Sequence, residues 1–258
     1  MIELKSPREI GLMRRGGHIL ADVVDRLRET VKPGMSTLEI DEDVENFIVA
    51  REAKPAFKGY RGFPATVCIS INEEVVHGIP SAHRRIKEGD IVGLDLGCIV
   101  DGYYADCAVT LAIGDVPPKV QQLLDVTRES LDQAIQECRT GRRLSDVSHA
   151  VQVHVERHGL SVVRAFVGHG IGRALHEDPQ VPNFGEPGRG PQLRPGMVLA
   201  IEPMVTMGSW EVKVLDDGWT AVTRDGSLAA HFEHTIAITD AEPEVLTSRT
   251  GHSVRQVA

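Results

Sequence analysis

Five side chains stand out for the chemistry they could do: Asp95, Asp106, His169, Glu202 and Glu233. Asp95 lies inside the apolar run Ile91-Val92-Gly93-Leu94-Asp95-Leu96, and Glu202 follows Val198-Leu199-Ala200-Ile201. Both carboxylates therefore fall in strands whose neighbours favour burial, which is costly unless a cation, a hydrogen-bond network or a raised pKa compensates. Asp106 follows Asp95 across a hairpin containing Asp101-Gly102. If residues 100 and 101 form the two-residue turn, 95 pairs with 106; if 101 and 102 do, 95 pairs with 108. In both registers the two aspartates share a face, roughly 4.5–8 Å apart, where like charges repel unless something positive sits between them. Glu233 lies in His231-Phe232-Glu233-His234-Thr235-Ile236-Ala237-Ile238, read as a third strand, the least buried of the three, with Glu233 beside His231 and Thr235 on one face. His169 sits in Val167-Gly168-His169-Gly170-Ile171-Gly172, where the glycines allow close backbone approach, and His176 follows. The run fits neither G-x-G-x-x-G, having Arg173 at the last glycine position, nor the P-loop pattern, so a phosphate cradle is set aside. Residue types alone leave a structural pair, a solvated sheet edge and a metal site all open.

The elements that must position these groups are legible from caps and periodicity. Ser6-Pro7-Arg8-Glu9 reads as a capping box opening a helix, with Ile10, Met13, Leu20, Val24, Leu27 and Val31 as its buried stripe and Pro33-Gly34 as its stop. Gly16-Gly17 interrupts an otherwise good helix former. Ser36 to Glu39 opens a second helix with Ile40, Val44 and Ile48 inward. Alternation then predicts strands around Val67 to Ile71, Ile91 to Leu96 and Tyr103 to Leu111. The pattern recurs: Pro118 to Cys138 is helical, Gly141 stops it, and Val147, Val151 and Val155 stand as far from Gly141 as Ile40, Val44 and Ile48 do from Gly34. This offset of 107 residues also superposes Gly89 to Asp95 on Gly196 to Glu202. An internal duplication follows, two helix–helix–strand halves closing one sheet about a pseudo-twofold axis, with Asp95 and Glu202 facing each other across one cleft.

Composition bounds the rest. The chain has 258 residues, 41% hydrophobic and 25% charged, an ordinary globular balance. The net charge of −9 disfavours a DNA or RNA partner, since such binding draws on Lys and Arg at phosphates. The opening residues lack the apolar run of a signal peptide, no stretch of about 18 apolar residues occurs, and a cytoplasmic protein without membrane attachment is expected. Cys68, Cys98, Cys107 and Cys138 have no C-x-x-C spacing and read as reduced thiols in or near the core.

Five motifs in order carry a resemblance: Val75-Val76-His77-Gly78-Ile79-Pro80, the Asp95 and Asp106 pair, Gly168 to Gly172, Ile201-Glu202-Pro203-Met204 and Phe232-Glu233-His234-Thr235. Together they resemble type I methionine aminopeptidases in the short bacterial form, nearly end to end. The resemblance implies an α+β pita-bread fold, two pseudo-twofold-related halves around a curved antiparallel sheet. It implies one catalytic domain over residues 1–258, with halves at about 1–113 and 114–240 and a tail at 241–258. It implies two divalent ions, Co, Mn, Fe(II) or Zn: Asp95 chelates one, Asp106 and Glu233 bridge both, and His169 with Glu202 completes the other. Four carboxylates offset the charge of two such ions, and an oxygen-rich donor set with one imidazole suits these metals. Glu202 would also take the proton of the attacking water, His176 would bond the substrate carbonyl region, and His77 would assist the tetrahedral intermediate or its nitrogen. The methionine pocket maps to Phe57, Tyr60, Phe63, Cys68, Leu175 and Trp219. Three positions depart from the common bacterial pattern: Phe57 stands where Cys is frequent, Leu175 where Phe is, and His231 where Gln is. The substrates implied are nascent polypeptides with a small second residue, met at the ribosome by a monomer. Two rivals share parts of this pattern. Prolidases and Xaa-Pro aminopeptidases carry the same five ligands but usually a large amino-terminal domain. A binding protein of the same fold would not need all five ligand types and both histidines.

Overall fold

The computed structural model describes residues 2–249. Helix α1 (Pro7–Thr30) starts at the expected box: the Glu9 amide donates to Ser6 Oγ, and the Ser6 amide donates to the Glu9 carboxylate at 2.8 Å. Helix α2 (Thr37–Val49) starts at its own box from Ser36 and Glu39, with Ile40, Val44 and Ile48 enclosed. Three antiparallel strands follow, β1 (Val67–Ile71), β2 (Ile91–Val100) and β3 (Tyr103–Ala112), with β2 in the centre. Asp41 of α2 accepts from the amides of Thr66 and Val67 and so ties the helix to the start of β1. On one face of the hairpin Gly16 of α1 approaches Cys98, Val100 and Ala105; the opposite face carries Asp95 and Asp106.

The second half repeats this plan with α3 (Pro118–Glu137), α4 (Leu144–Glu156), β4 (Gly168–Gly170), β5 (Val198–Ile201) and β6 (His234–Ala237), where β5 lies between β4 and β6. The 107-residue offset recurs bond by bond. The Gly34 amide donates to Ile86 O at 2.8 Å and the Gly141 amide to Leu193 O at 3.1 Å; the Thr37 amide donates to Arg84 O and the Leu144 amide to Pro191 O. Isolated bridges join Ser36 to Arg85 and Arg143 to Gln192. The halves meet where β3 runs beside β6, at a bridge between Ala108 and Glu233. Thr235 Oγ1 accepts from the Asp106 amide at 3.0 Å and donates to the Asp106 carbonyl at 2.8 Å. Its counterpart Thr110 does the same for His231, accepting from the amide at 2.9 Å and donating to the carbonyl at 2.8 Å. The pseudo-twofold axis therefore passes between Ala108 and Glu233.

Three expectations are corrected. Strand β1 does not alternate, because α2 covers one face and the central cavity's wall the other, so Val67 to Ser70 are all buried. The segment 231–238 is not one strand. Ala229–His231 pairs with Met204–Thr206, β6 pairs with β5, and the chain changes partners at Phe232 and Glu233. That change puts Glu233 at the seam, where it is 2% exposed rather than the most open of the acids. Within the segment expected as a tail, Glu244–Val245 pairs with β6; residues 250–258 lie outside the described residues. All four cysteines are free and buried. No helix among the described residues is long and apolar enough to cross a membrane.

Candidate active site

The hairpin turn decides how the two aspartates stand. Val100 pairs with Tyr103, so Asp101 and Gly102 form the two-residue turn, with φ of 49° and 82° as such a turn requires. Asp95 is therefore opposite Ala108 and Gly97 opposite Asp106, which sets the aspartates on one diagonal of one face. Glu202 and Glu233 each stand one residue beyond the Ile201–His234 pair of β5 and β6. Glu233 is held from behind, its amide donating to Ala108 O at 2.9 Å. His169 on β4 pairs with Ala200 of β5 and stands between two glycines whose place a Cβ could not take. At Gly168 it would lie 2.4 Å from Ala200 O, and at Gly170 2.1 Å from Asp178 O. The glycines thus let three backbones close around the imidazole.

The His169 ring has a defined direction. Its Nδ1 is 2.9 Å from the Gly170 carbonyl, which can only accept, so Nδ1 carries the hydrogen and Nε2 presents its lone pair. That Nε2 is 3.5 Å from Glu202 Oε1 and 4.0 Å from Asp106 Oδ2. One donor atom each from Asp106, His169 and Glu233 fall within 4.8 Å of one another. Burial raises the pKa of every carboxyl here: Asp95 to about 7, and Asp106, Glu202 and Glu233 well above their ordinary range, with the neighbouring carboxylates adding to each of these three. Burial also pushes His169 down to about 4, keeping its ring neutral. Asp95 Oδ1, Asp106 Oδ1 and Glu233 Oε1 are enclosed without a hydrogen-bond partner among the described residues. Orphaned oxygens of buried acids, aimed together with an imidazole lone pair, are what divalent cations satisfy, so the donor set fits the metal expectation.

All thirteen residues singled out from the sequence line one cavity of about 150 Å³. His77, at φ 62°, stands edge-on to Phe166 and Trp219, with ring centres 5.3 and 6.3 Å away. Phe63 meets Trp219 edge-on at 5.1 Å, Cys68 pairs with Asp95 across β1 and β2, and Phe57 and Leu175 are buried. His176 stacks on Tyr60 and lies 4.2 Å from the His169 ring. Two neighbours were not foreseen. Arg61 lines the mouth of the cavity, and only its adjacency to Tyr60 could have pointed to it. Buried His231, noted as a neighbour of Glu233 and for standing where Gln is frequent, holds Nε2 3.9 Å from Glu202 Oε2. Desolvation moves its pKa down to about 3.

Comparison with known proteins matches residues 11–240 to the model of metallopeptidase family M24. The chain belongs to metallopeptidase family M24. Within M24 it is 52% identical to methionine aminopeptidase 1 of Bacillus subtilis over 247 residues, 96% of this chain and 99% of that one. It is equally similar to the methionine aminopeptidase of Clostridium acetobutylicum. The crystal structure of methionine aminopeptidase from Thermotoga maritima superposes with a TM-score of 0.95 at 49% identity, covering 96% of this chain and all of that one. A prolidase from Pyrococcus horikoshii shares the fold alone, with a TM-score of 0.78 at 24% identity. The fold is the pita-bread fold of M24, and the chain is an aminopeptidase, a hydrolase that uses divalent metal.

Proposed function

We propose that this M24 enzyme removes the amino-terminal methionine from polypeptides whose second residue is small, acting on nascent chains at the ribosome as a cytoplasmic monomer. One observation carries the reading: the five metal-ligand candidates and an apolar, aromatic-walled pocket open into the same small cavity. Two divalent ions, Co, Mn, Fe(II) or Zn, would be held by Asp95, Asp106, His169, Glu202 and Glu233, of which Asp106 and Glu233 stand at the seam between the halves. When bound, such ions acidify water and polarise the scissile carbonyl.

The chain's own residues supply the rest. Glu202, beside His169 and His231, takes the proton of the attacking water at a carboxylate oxygen. His176 donates to the substrate carbonyl, and His77, edge-on between Phe166 and Trp219, faces the nitrogen of the tetrahedral species. Phe57, Tyr60, Phe63, Cys68, Leu175 and Trp219 enclose a linear thioether, to which aromatic rings add about 0.3–1.5 kcal/mol per contact. A cavity of about 150 Å³ admits one side chain and leaves little room for residues ahead of it, which supports cleavage after one residue. Incubation with Met-Ala-Ser and Ala-Pro-Ser peptides, with and without Mn, Co or Fe(II), tests the proposal by mass spectrometry. Metal-dependent release of methionine from the first alone is expected. Cleavage of the proline peptide alone would make the enzyme an Xaa-Pro aminopeptidase, and cleavage of neither would favour a binding role.

A further inference from the structure

The Tyr60 hydroxyl lies 2.9 Å from His176 Nδ1, and the two rings stack with centres 5.5 Å apart. A neutral imidazole has one N–H and one lone pair, whereas a phenol can donate or accept, so the bond admits two arrangements. In one, Tyr60 donates to Nδ1 and the imidazole hydrogen sits on Nε2. In the other, Nδ1 donates to Tyr60 and Nε2 is a bare lone pair. Two features select the first. The Arg61 guanidinium lies 5.3 Å from the centre of the Tyr60 ring, where its charge draws density from the phenol and makes its hydroxyl the better donor. The Tyr60 hydroxyl has no other hydrogen bond among the described residues, whereas in the second arrangement its hydrogen would need a separate acceptor.

We infer that Tyr60 is a positioning residue that fixes His176 in the Nε2–H tautomer, so that two imidazoles 4.2 Å apart are held in opposite tautomers by opposite partners. The Gly170 carbonyl accepts from His169 Nδ1 and leaves a lone pair to bind metal; the Tyr60 hydroxyl donates to His176 Nδ1 and leaves an N–H to bind the substrate carbonyl. Tyr60 thereby acts on turnover through its oxygen and on methionine binding through its ring. The inference rests on the proposed peptidase reading for its kinetic part only.

Tyr60→Phe keeps the ring and removes the oxygen, while Tyr60→Leu removes both. With a Met-Ala-Ser peptide, Tyr60→Phe should lower kcat about five- to tenfold, the worth of one hydrogen bond, with KM within about twofold of the parent. Tyr60→Leu should lower kcat by the same factor and raise KM in addition. Histidine-labelled, Zn-loaded full chain gives a readout independent of turnover: long-range nitrogen–proton NMR spectra should show His176 with Nδ1 unprotonated, and a mixture of tautomers in Tyr60→Phe. A His176 signal with Nδ1 protonated in the parent overturns the inference, as does a Tyr60→Phe chain unchanged in both tautomer and kcat. A parent that cleaves no methionyl peptide ends the peptidase reading, and the NMR comparison still decides the tautomer.

Discussion

The acids of the cavity are costly to the chain that holds no metal, and Asp95→Asn measures by how much. Burial moves the Asp95 pKa from 3.8 to about 7. A carboxyl whose folded pKa lies above its unfolded one binds its proton more tightly in the native state. The penalty is therefore absent below the unfolded value, grows between the two, and is complete above the folded one. About three pKa units correspond to ~4 kcal/mol, and water entering from the cavity side reduces this to ~2–4 kcal/mol. Asparagine keeps the shape and removes the charge. In EDTA-treated protein at about pH 8, Asp95→Asn should raise the midpoint of thermal unfolding by ~5–15 °C, at ~2–4 °C per kcal/mol for a chain of this size. The gain should fall by about half at about pH 5.5, where the native carboxyl is largely protonated. The same substitution should abolish tight Mn binding in calorimetry, so the variant is more stable empty and no longer stabilised by metal. A metal-free variant melting at or below the parent would refute the electrostatic argument, because the carboxylate would then have a compensating partner in the empty site.

Other outcomes follow from single contacts. Trp219→Ala opens the wall shared with Phe63 and His77, and should lower kcat/KM for methionyl peptides at least tenfold while narrowing their advantage over norleucyl and leucyl ones; equal losses for all would show no pocket role. A Cβ at Gly97 would lie 2.7 Å from the Phe57 ring and 2.9 Å from Ala56, so Gly97→Ala should cost ~1–3 kcal/mol of stability in chemical denaturation and raise KM by displacing Phe57. Lys5 is 7% exposed and paired with Glu177, whose carboxylate also accepts from the Arg173 and Ala174 amides beside His176. Lys5→Met leaves that carboxylate without its cation and should cost ~3 kcal/mol, seen as a lower melting midpoint, whereas Lys5→Met with Glu177→Gln should recover much of the loss.

Much of this site was legible because local rules and the repeat pointed the same way. Both capping boxes form, and the hairpin placed Asp95 and Asp106 on one face in either register, so the unresolved turn did no harm to the argument. Asp95 and Glu202 emerged as symmetry mates because the loop-length differences between Gly34 and Asp95, relative to the second half, cancel before that strand is reached. The remaining pairs stand at other offsets. Register equates Ser70 with His169, since Ser70 faces Gly93 and His169 faces Ala200, an offset of 99. His77 and His176 keep that same offset. Ala108 and Glu233 stand 125 apart, as do Asp106 and His231. Loops of unequal length hide such mates from a fixed-period comparison, so spacing could not have chosen His169 or Glu233. The burial of Glu233 was misjudged for a related reason: its cover comes from β3, more than 120 residues away, which no local pattern reports.

The seam at Ala108 and Glu233 also bears on when a newly made chain becomes competent. A chain synthesised only as far as Ile201 holds Asp95, Asp106 and His169 but neither glutamate, and one that stops at Glu202 still lacks the strand that docks on β5 and β3. Because the donors are shared between the halves, neither half alone carries the centre. Competence arrives in one step, when residues 233–237 close the last gap, and any later parting of the two halves withdraws it just as abruptly.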